Sequence, residues 1–245
     1  MTALIATVRC AMAVDNRDAA ADALKMLTRE FPADPQALYV ATHAYSDLAT
    51  RVSADLAQKA PDSPQAHELN AEALEVQGKF DQATREYQWL LKHNPKEPGI
   101  HYRIGRLLLS KPDFTPEQAQ QAREEFQHEL EIDPTNAGAE YVLGVLARQS
   151  QQLDEAATHF SRAGKLDSGF ADAFAALGET YIASKKFEDA ISPLEIATKL
   201  QPQNATAHYN LALAYNRVGR KLDASREFGI HRQLTRETEG QVAQP

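Results

Sequence analysis

Histidine and carboxylate side chains could do acid–base or metal chemistry in this chain, but their spacing provides for neither. None of the eight histidines stands three or four residues from another histidine or from Cys10, as two zinc ligands on a helix would. His67, His101 and His208 share one place of a sequence repeat, so they report a period and not a ligand set. We also find no phosphate-binding glycine loop. We therefore predict no catalytic residue, no metal site, no cofactor and no enzyme activity.

A sequence pattern with a period of 34 residues runs through most of the chain. The stretches 171–204 and 205–238 align without a gap, so that Leu211 stands at the place of Leu177. Apolar residues within each stretch recur three and four apart, which is the spacing of an amphipathic helix. A period of this length indicates a solenoid, in which each unit buries its apolar face by stacking on its neighbours.

The period divides residues 1–238 into seven units and leaves 239–245 as a polar C-terminal tail. Six units carry a small residue at the twentieth place and a large apolar residue four places later, as Ala190 and Leu194 do in 171–204. We therefore predict two amphipathic helices per unit, in one continuous array without a linker. The predicted units are 1–34, 35–63, 64–97, 98–136, 137–170, 171–204 and 205–238.

The repeated residues resemble the tetratricopeptide repeat (TPR) family over nearly the whole chain, most closely over 64–238. The resemblance rests on the period, on Leu-Gly pairs such as Leu143-Gly144, and on a proline near the unit end such as Pro202. It implies an all-α fold, a right-handed superhelical solenoid of stacked antiparallel helix pairs. The place of the family's tryptophan holds other residues here, namely His67, His101, Glu140, Phe174 and His208.

Two units depart from the common length. Unit 35–63 is five residues short, which predicts a trimmed inter-helix turn or a trimmed second helix. Unit 98–136 is five residues longer than the common length, and its extra residues fall near Thr115-Pro116. Thr115 suits an N-cap, Pro116 suits the first helical position, and Gln118 completes a capping box. We predict a second helix that begins at Pro116 and is longer by about one turn. The insertion is either a tolerated surface turn or a rim of the binding groove.

The resemblance implies that a partner binds the concave surface, which first helices line at the second, fifth, sixth, ninth, twelfth and thirteenth places of each unit. Tyrosine and arginine recur at these places, and both are common in peptide-binding surfaces. Tyrosine is also frequent there in the family for packing reasons. Carried over place by place, the partner-binding candidates are Tyr39, Tyr102, Arg103, Arg106, Tyr141, Arg148, Tyr209, Asn210 and Arg217.

Acidic and basic residues at the implied groove places follow an order along the chain. Glu68, Glu72 and Glu75 come first and Arg103, Arg106 and Arg148 follow, so we expect an acidic end and then a basic centre. Family members that bind chaperone C termini use Lys and Asn at the fifth and ninth places of one unit. The chain lacks this pair, which disfavours that mode of binding; its residues there include Glu68 and Glu72, Tyr102 and Arg106, and Tyr141 and Val145.

Composition limits the partners and the compartment. The formal net charge is −8 and the isoelectric point is about 5.5, which argues against nucleic acid or an anionic membrane as the main partner. Cys10 is the only cysteine, so an internal disulfide is excluded. The apolar N-terminal stretch is too short to span a bilayer and resembles a first helix more than a signal peptide. We expect a soluble protein, cytoplasmic or, if an upstream targeting signal is missing from this chain, periplasmic or secreted.

Three functions are compatible with these features. The first is a non-enzymatic scaffold that binds a protein or peptide segment in its groove. The second is a self-associating structural module that dimerises through an end helix or the convex side. Trp89 is either one contact of that kind or, as we favour, packed internally. The third is a regulatory fragment of a larger enzyme or of a secretion-linked protein. The scaffold is the main hypothesis, because repeats of this kind provide surfaces and not buried polar pockets.

Overall fold

The computed structural model describes the backbone of residues 1–111 and 114–242 and the side chains of 1–111 and 114–238. All regular secondary structure in these ranges is α-helical, which confirms the predicted fold class. The residues group into two compact units, Met1–Gly78 and the described residues from Lys79 onward. The helices are α1 Thr2–Ala13, α2 Arg17–Glu30, α3 Pro35–Lys59, α4 Pro64–Val76, α5 Phe80–His93, α6 Ile100–Leu109, α7 Pro116–Ile132, α8 Ala137–Gln149, α9 Leu153–Leu166, α10 Ala171–Ala183, α11 Phe187–Leu200, α12 Ala205–Arg217 and α13 Lys221–Val242.

In five units, the turn between the two helices is made by one left-handed residue at the fifteenth place. This residue lets the chain reverse, and the next amide closes the turn on the first helix, as Lys186 N–H does on the Tyr181 carbonyl at 2.8 Å. Glycine adopts this conformation without the steric cost that other residues incur. The left-handed residues at this place are Asp15 (φ 54°), Gly78 (70°), Gln151 (61°), Lys185 (60°) and Gly219 (87°).

Residues 35–63 form one helix and not a pair, which corrects the prediction of two helices for this unit. The single helix α3 is 25 residues long. Ala49 stands at the fifteenth place, and the stretch 36–59 contains neither glycine nor proline. Without a residue that favours the left-handed turn, the helix continues. Its second half is held in the first compact unit by Arg17, whose Nη1 lies 2.6 Å from Oδ2 of Asp55.

In three units, the close approach of the two helices depends on glycine at the eighth place. An added Cβ on Gly144 would lie 2.7 Å from the Phe160 ring, and one on Gly105 would lie 2.8 Å from the Phe126 ring. Gly178 faces Leu194 in the same way. The Leu-Gly pairs of the sequence are therefore contact points between paired helices, where a larger side chain would overpack the interface.

Successive units share their apolar cores. Ala190 and Leu194 of one unit pack in one cluster with Leu211, Ala214 and Tyr215 of the next unit. The preceding pair of units is joined in the same way, since Phe160 packs with Leu177. Because these contacts join neighbours in the chain, the stability of this part is a sum of local helix-pair and interface contributions.

The helix α7 begins at Pro116 as predicted. Thr115 accepts a hydrogen bond from Gln118 N–H, and the Gln118 side chain accepts one from Thr115 N–H. With 17 residues, α7 is three residues longer than α5, α9 and α11, about one turn. The last helix, α13, continues to Val242 and so includes the first residues of the predicted polar tail.

A buried carboxylate caps the start of α6. The N-cap residue is Gly99, which has no side chain to accept the first amides of the helix. Glu129 of α7 is fully buried and replaces it. Its Oε1 accepts from Gly99 N–H at 2.7 Å and from Asn136 Nδ2 at 3.3 Å, and its Oε2 accepts from Tyr102 N–H at 3.2 Å. Helix N-termini favour a negative charge, so this contact fixes α6 on α7.

Candidate functional site

First helices of the second compact unit lie side by side and form one surface, which we call the first-helix face (α6, α8, α10 and α12). The Tyr102 side chain of α6 packs on Gly138 at the start of α8. A Cβ added to Gly138 would lie only 2.8 Å from the Tyr102 hydroxyl. Farther along, Arg148 of α8 lies 2.7 Å from Glu179 of α10. Asn210 of α12 donates to the same Glu179 at 3.4 Å. The glycine at the second place of 137–170 thus leaves room for the tyrosine of the preceding unit.

Glu179 connects three of the predicted groove places. Its Oε2 accepts from Arg148 Nη1 and its Oε1 accepts from Asn210 Nδ2. The side chains of Arg148 and Glu179 are both about one-third exposed, and the guanidinium of Arg148 also lies 5.6 Å from the centre of the Phe160 ring. Arg148 and Asn210, two of the predicted binding residues, are therefore already engaged with the protein, and the charge of Arg148 is balanced locally.

The two arginines of α6 have different surroundings. Arg103 Nη1 donates to the Tyr87 hydroxyl at 3.0 Å, and its guanidinium lies 5.7 Å from the centre of that ring. Arg106 is exposed and its guanidinium lies 5.9 Å from the centre of the Tyr102 ring. Among the described residues, no carboxylate pairs with Arg106. Of the three arginines expected to form a basic centre, Arg106 alone has no polar partner among these residues.

Tyr141 lies between the ends of the face and packs on two phenylalanines. Its ring centre is 5.6 Å from that of Phe160 and 4.9 Å from that of Phe170. Burial, and secondarily the charge of Asp172, raise the pKa of the Tyr141 hydroxyl above its ordinary value. The residue is half-buried. It therefore contributes an apolar surface to the face while it stabilises the core beneath.

At the far end of the face, Tyr209 and Arg217 are both exposed. The Tyr209 ring lies 5.9 Å from Phe228 and 5.4 Å from His231, both on α13. The guanidinium of Arg217 lies 5.5 Å from the centre of the Phe187 ring, and no carboxylate in the described part of the chain pairs with it. Arg217 is thus a second arginine on this surface with an unbalanced charge.

Tyr39, the remaining candidate, belongs to the first compact unit. It is 65% exposed and contacts His43 with tilted rings, whose centres are 4.2 Å apart. It borders a cleft of about 540 Å³ between α1 and α3, whose floor includes Val8, Met12 and Val40. Because it lies in the other compact unit, Tyr39 forms a candidate surface of its own, and the expected acidic-to-basic order along one groove stays a prediction.

Histidine–glutamate pairs, one of them fully buried and two partly buried, stand at the place of the family tryptophan in three units. One partner is on the first helix at the fourth place, and the other is on the second helix at the twenty-third place. These side chains hold the helix pair together, so the histidines have a structural role that sequence analysis missed. Comparing the twenty-third place across units would have revealed it. The Nδ1–Oε2 distances are 2.6 Å for His101–Glu125, 2.5 Å for His159–Glu140 and 2.6 Å for His208–Glu227.

Tyr215 of α12 is buried and its hydroxyl donates to Glu195 of α11. Burial first, and this hydrogen bond second, raise the pKa of Tyr215 to about 12. The guanidinium of Arg220 lies 4.1 Å from the centre of the Tyr215 ring. The arrangement joins two successive units, because Glu195 and Tyr215 belong to neighbouring repeats.

The described residues contain no group of three or more His, Cys, Asp or Glu side chains that could hold a metal ion. None of the described helices has both the length and the apolar character that crossing a membrane requires.

Comparisons with known proteins point to one family. Sequence profiles described as "Tetratricopeptide repeat" and "TPR repeat" match residues 68–115 and 178–219 respectively. A peroxisomal targeting signal receptor of Yarrowia lipolytica is 30% identical over 132 residues, which are 54% of this chain and 20% of the receptor. The chain thus spans about a fifth of the length of that relative.

Solved structures share the fold at low identity. A crystal structure of MamA is 24% identical with a TM-score of 0.61, covering 69% of this chain and 96% of that one. MamA from Desulfovibrio magneticus RS-1 is 20% identical with a TM-score of 0.61, covering 72% and 97%. YrrB, described as a TPR protein with an unusual peptide-binding site, is 18% identical with a TM-score of 0.61, covering 74% and 91%.

The match over 68–115 begins in the first compact unit and continues into the second, and the match over 178–219 lies in the second. The paired helices, the glycine contacts at the eighth place and the shared fold agree with them. Residues 68–115 and 178–219 thus match tetratricopeptide repeats.

Proposed function

We propose that this chain is a non-enzymatic scaffold that binds a segment of a partner protein along the first-helix face. The observation that carries the proposal is Arg106. It is exposed and lies over the Tyr102 ring, and it has no carboxylate partner in the described part of the chain. An arginine held in this way can donate two hydrogen bonds to an incoming carboxylate.

The chemistry of the face indicates what the partner segment carries. Arg106 lies on the first of its four helices and Arg217 on the last. The middle is apolar or already neutralised, since it consists of the half-buried Tyr141 and Val145 and of the pair of Arg148 with Glu179. A segment with an apolar centre and acidic groups toward its ends fits this distribution. Arginine–carboxylate contacts then set orientation and the apolar contacts add affinity.

The comparisons support protein binding in general terms. YrrB is described as having a peptide-binding site, and the receptor from Yarrowia lipolytica is described by the targeting signal that it receives. Both descriptions concern those proteins. They support a peptide or protein ligand for this chain, because the fold is shared and the architecture provides an extended surface instead of a closed pocket.

The test is a peptide-display selection on the full chain, followed by fluorescence anisotropy with one selected peptide. We expect Arg106→Ala to weaken binding by ~1–2 kcal/mol, because a charge-assisted contact is lost. Arg106→Lys should recover only part of the loss, since an ammonium cannot form the paired hydrogen bonds. Lys199→Ala is the control, because Lys199 is exposed on α11, a second helix.

Two further readouts check the same proposal. Affinity should fall as salt is added, since an exposed arginine contact is screened. Circular dichroism of Arg106→Ala should match the unaltered protein. A selected peptide that binds equally to both proteins, or that loses affinity only in Lys199→Ala, would exclude the first-helix face as the site.

A further inference from the structure

An exposed apolar stripe runs along α3, where residues 35–63 lack a second helix. In a complete unit the fourth, eighth and eleventh places of the first helix face the second helix, as Gly144 faces Phe160. In α3 these places hold Leu38, Thr42 and Tyr45. Leu38 is 44% exposed and Tyr45 is 46% exposed. The unit therefore has a helix-packing face with no helix of its own to cover it.

The stripe continues into the second half of α3. Ala49 and Val52 are exposed, and Leu56 is half-exposed. Alternating steps of four and three residues place them on the same narrow face as the residues of the first half. This is the spacing with which two helices interlock in a coiled coil. The complete stripe is Leu38, Thr42, Tyr45, Ala49, Val52 and Leu56.

The borders of the stripe favour a second helix over open solvent. On one side Ala41 and Leu48 pack into the core of the first compact unit. On the other side stand Ser46 and Ser53, which carry no charge. The ionised side chains of this part of α3 are engaged elsewhere, as Asp55 is with Arg17. No like charges at the stripe would therefore oppose an identical surface.

The length of the stripe and the sizes of its side chains indicate which helix packs on it. The stripe spans 38–56, whereas second helices such as α9 and α11 have only 14 residues in total. A partner of matching length is another copy of α3. In an antiparallel pair centred near residue 47, Tyr45 of one copy meets Ala49 of the other, so a large residue fits against a small one. A parallel pair would instead set Tyr45 against Tyr45 and leave Ala49 facing Ala49.

We propose that two copies of this chain associate through α3, antiparallel and along this stripe. Antiparallel helices are also how each complete unit packs, and their opposed dipoles attract weakly. The pair is isologous, because each copy offers the same surface, so association stops at a dimer. The site differs from the first-helix face and does not depend on the function proposed for it.

The first test is the mass of the full chain in solution. Sedimentation at about 100 µM protein, which detects dimers with dissociation constants up to this range, should show a dimer. Tyr45→Glu should weaken the dimer at least about tenfold, because it puts a charge against the apolar seam. Ala54→Glu is the matched control, since Ala54 is exposed on the opposite side of the same helix. Unchanged helical content in both variants shows that the chain still folds.

A second test fixes the orientation by disulfide cross-linking in a Cys10→Ser background. An equal mixture of the Tyr45→Cys and Ala49→Cys chains should give the heterodimer as the main oxidised product. Preferential cross-linking of Ala49→Cys with itself would overturn the antiparallel arrangement. A monomer at about 100 µM, or a dimer that Tyr45→Glu leaves intact, would overturn the site. None of these outcomes affects peptide binding at Arg106, so the two proposals fail separately.

Discussion

Replacing Glu129 should loosen α6 and the binding surface it carries. The carboxylate is fully buried and accepts from Gly99 N–H, Tyr102 N–H and the Asn136 side chain. Glu129→Ala leaves two backbone amides at a helix start without their acceptor. Each buried unsatisfied donor costs about 1–3 kcal/mol, and the buried charge that disappears offsets part of this. We expect a loss of about 3 kcal/mol in unfolding free energy.

Glu129→Gln separates the loss of charge from the loss of volume. The amide oxygen can still accept from Gly99 N–H, but the amide nitrogen would then face Tyr102 N–H, donor against donor. We expect the unfolding free energy to fall by about 1–2 kcal/mol, which is less than the loss expected for Glu129→Ala. Glu131→Ala is the control, because Glu131 is exposed on the same helix and surface changes stay within about 0.5 kcal/mol.

The assay is urea unfolding followed by circular dichroism, combined with amide hydrogen exchange at Gly99 and Tyr102. Exchange at these two amides should accelerate in Glu129→Ala even if the unfolding of the array is not two-state, because it reports local opening. The capping role would be refuted if the unfolding free energy of Glu129→Ala lay within about 0.5 kcal/mol of that of the unaltered protein and hydrogen exchange at both amides were unchanged.

Three more outcomes are expected. Gly178→Val should lower the unfolding free energy by ~1–3 kcal/mol in urea denaturation, because no space exists for a side chain between the paired helices. His208→Phe alone should destabilise more than His208→Phe with Glu227→Leu, because the single change leaves a buried carboxylate without its histidine. Tyr215 should ionise near pH 12 in an absorbance titration at high pH, since burial and Glu195 raise its pKa. The neutral phenol is the stabilising form, so its contribution is complete below the ordinary tyrosine pKa of 10.0 and is lost as the pH rises toward 12.

Each of these outcomes has a control. Gly229→Ala should be nearly neutral, because an added Cβ there meets no neighbouring atom. The histidine–glutamate coupling fails if the losses from the two single changes simply add in a double-mutant cycle. In Tyr215→Phe the latest ionising step should vanish from the titration. Its persistence would assign that step to another tyrosine, of which the chain has seven more.

Local sequence signals were enough for much of the fold. The apolar period predicted paired helices, and the turns between them recur at one place of the repeat, as at Gly78, Lys185 and Gly219. The start of α7 followed from Thr115 and Gln118, which interact across a single helical turn. These features could be read from the sequence because every residue involved lies within a few positions of its partner.

Long-range partners were not accessible in this way. The place of Arg148 on a first helix followed from the repeat, but its pairing with Glu179, 31 residues later, did not. The engagement of Arg103 with Tyr87 was hidden for the same reason. As a result, sequence reasoning grouped three arginines that differ in the structure: two have polar partners, and Arg106 has none in the described part of the chain.

The sequence by itself determined the repeat, the helix pairs and the residue types that each first helix presents, because these depend on periodicity and on short-range capping. Tertiary structure decided which charges remain available for a partner and which are used within the protein. It also decided that 35–63 contains one helix with an uncovered apolar stripe. From the short length of this unit alone, either a trimmed turn or a trimmed second helix was expected. The physical reason is that a side chain's availability depends on neighbours about one repeat away, whose identity the period does not specify.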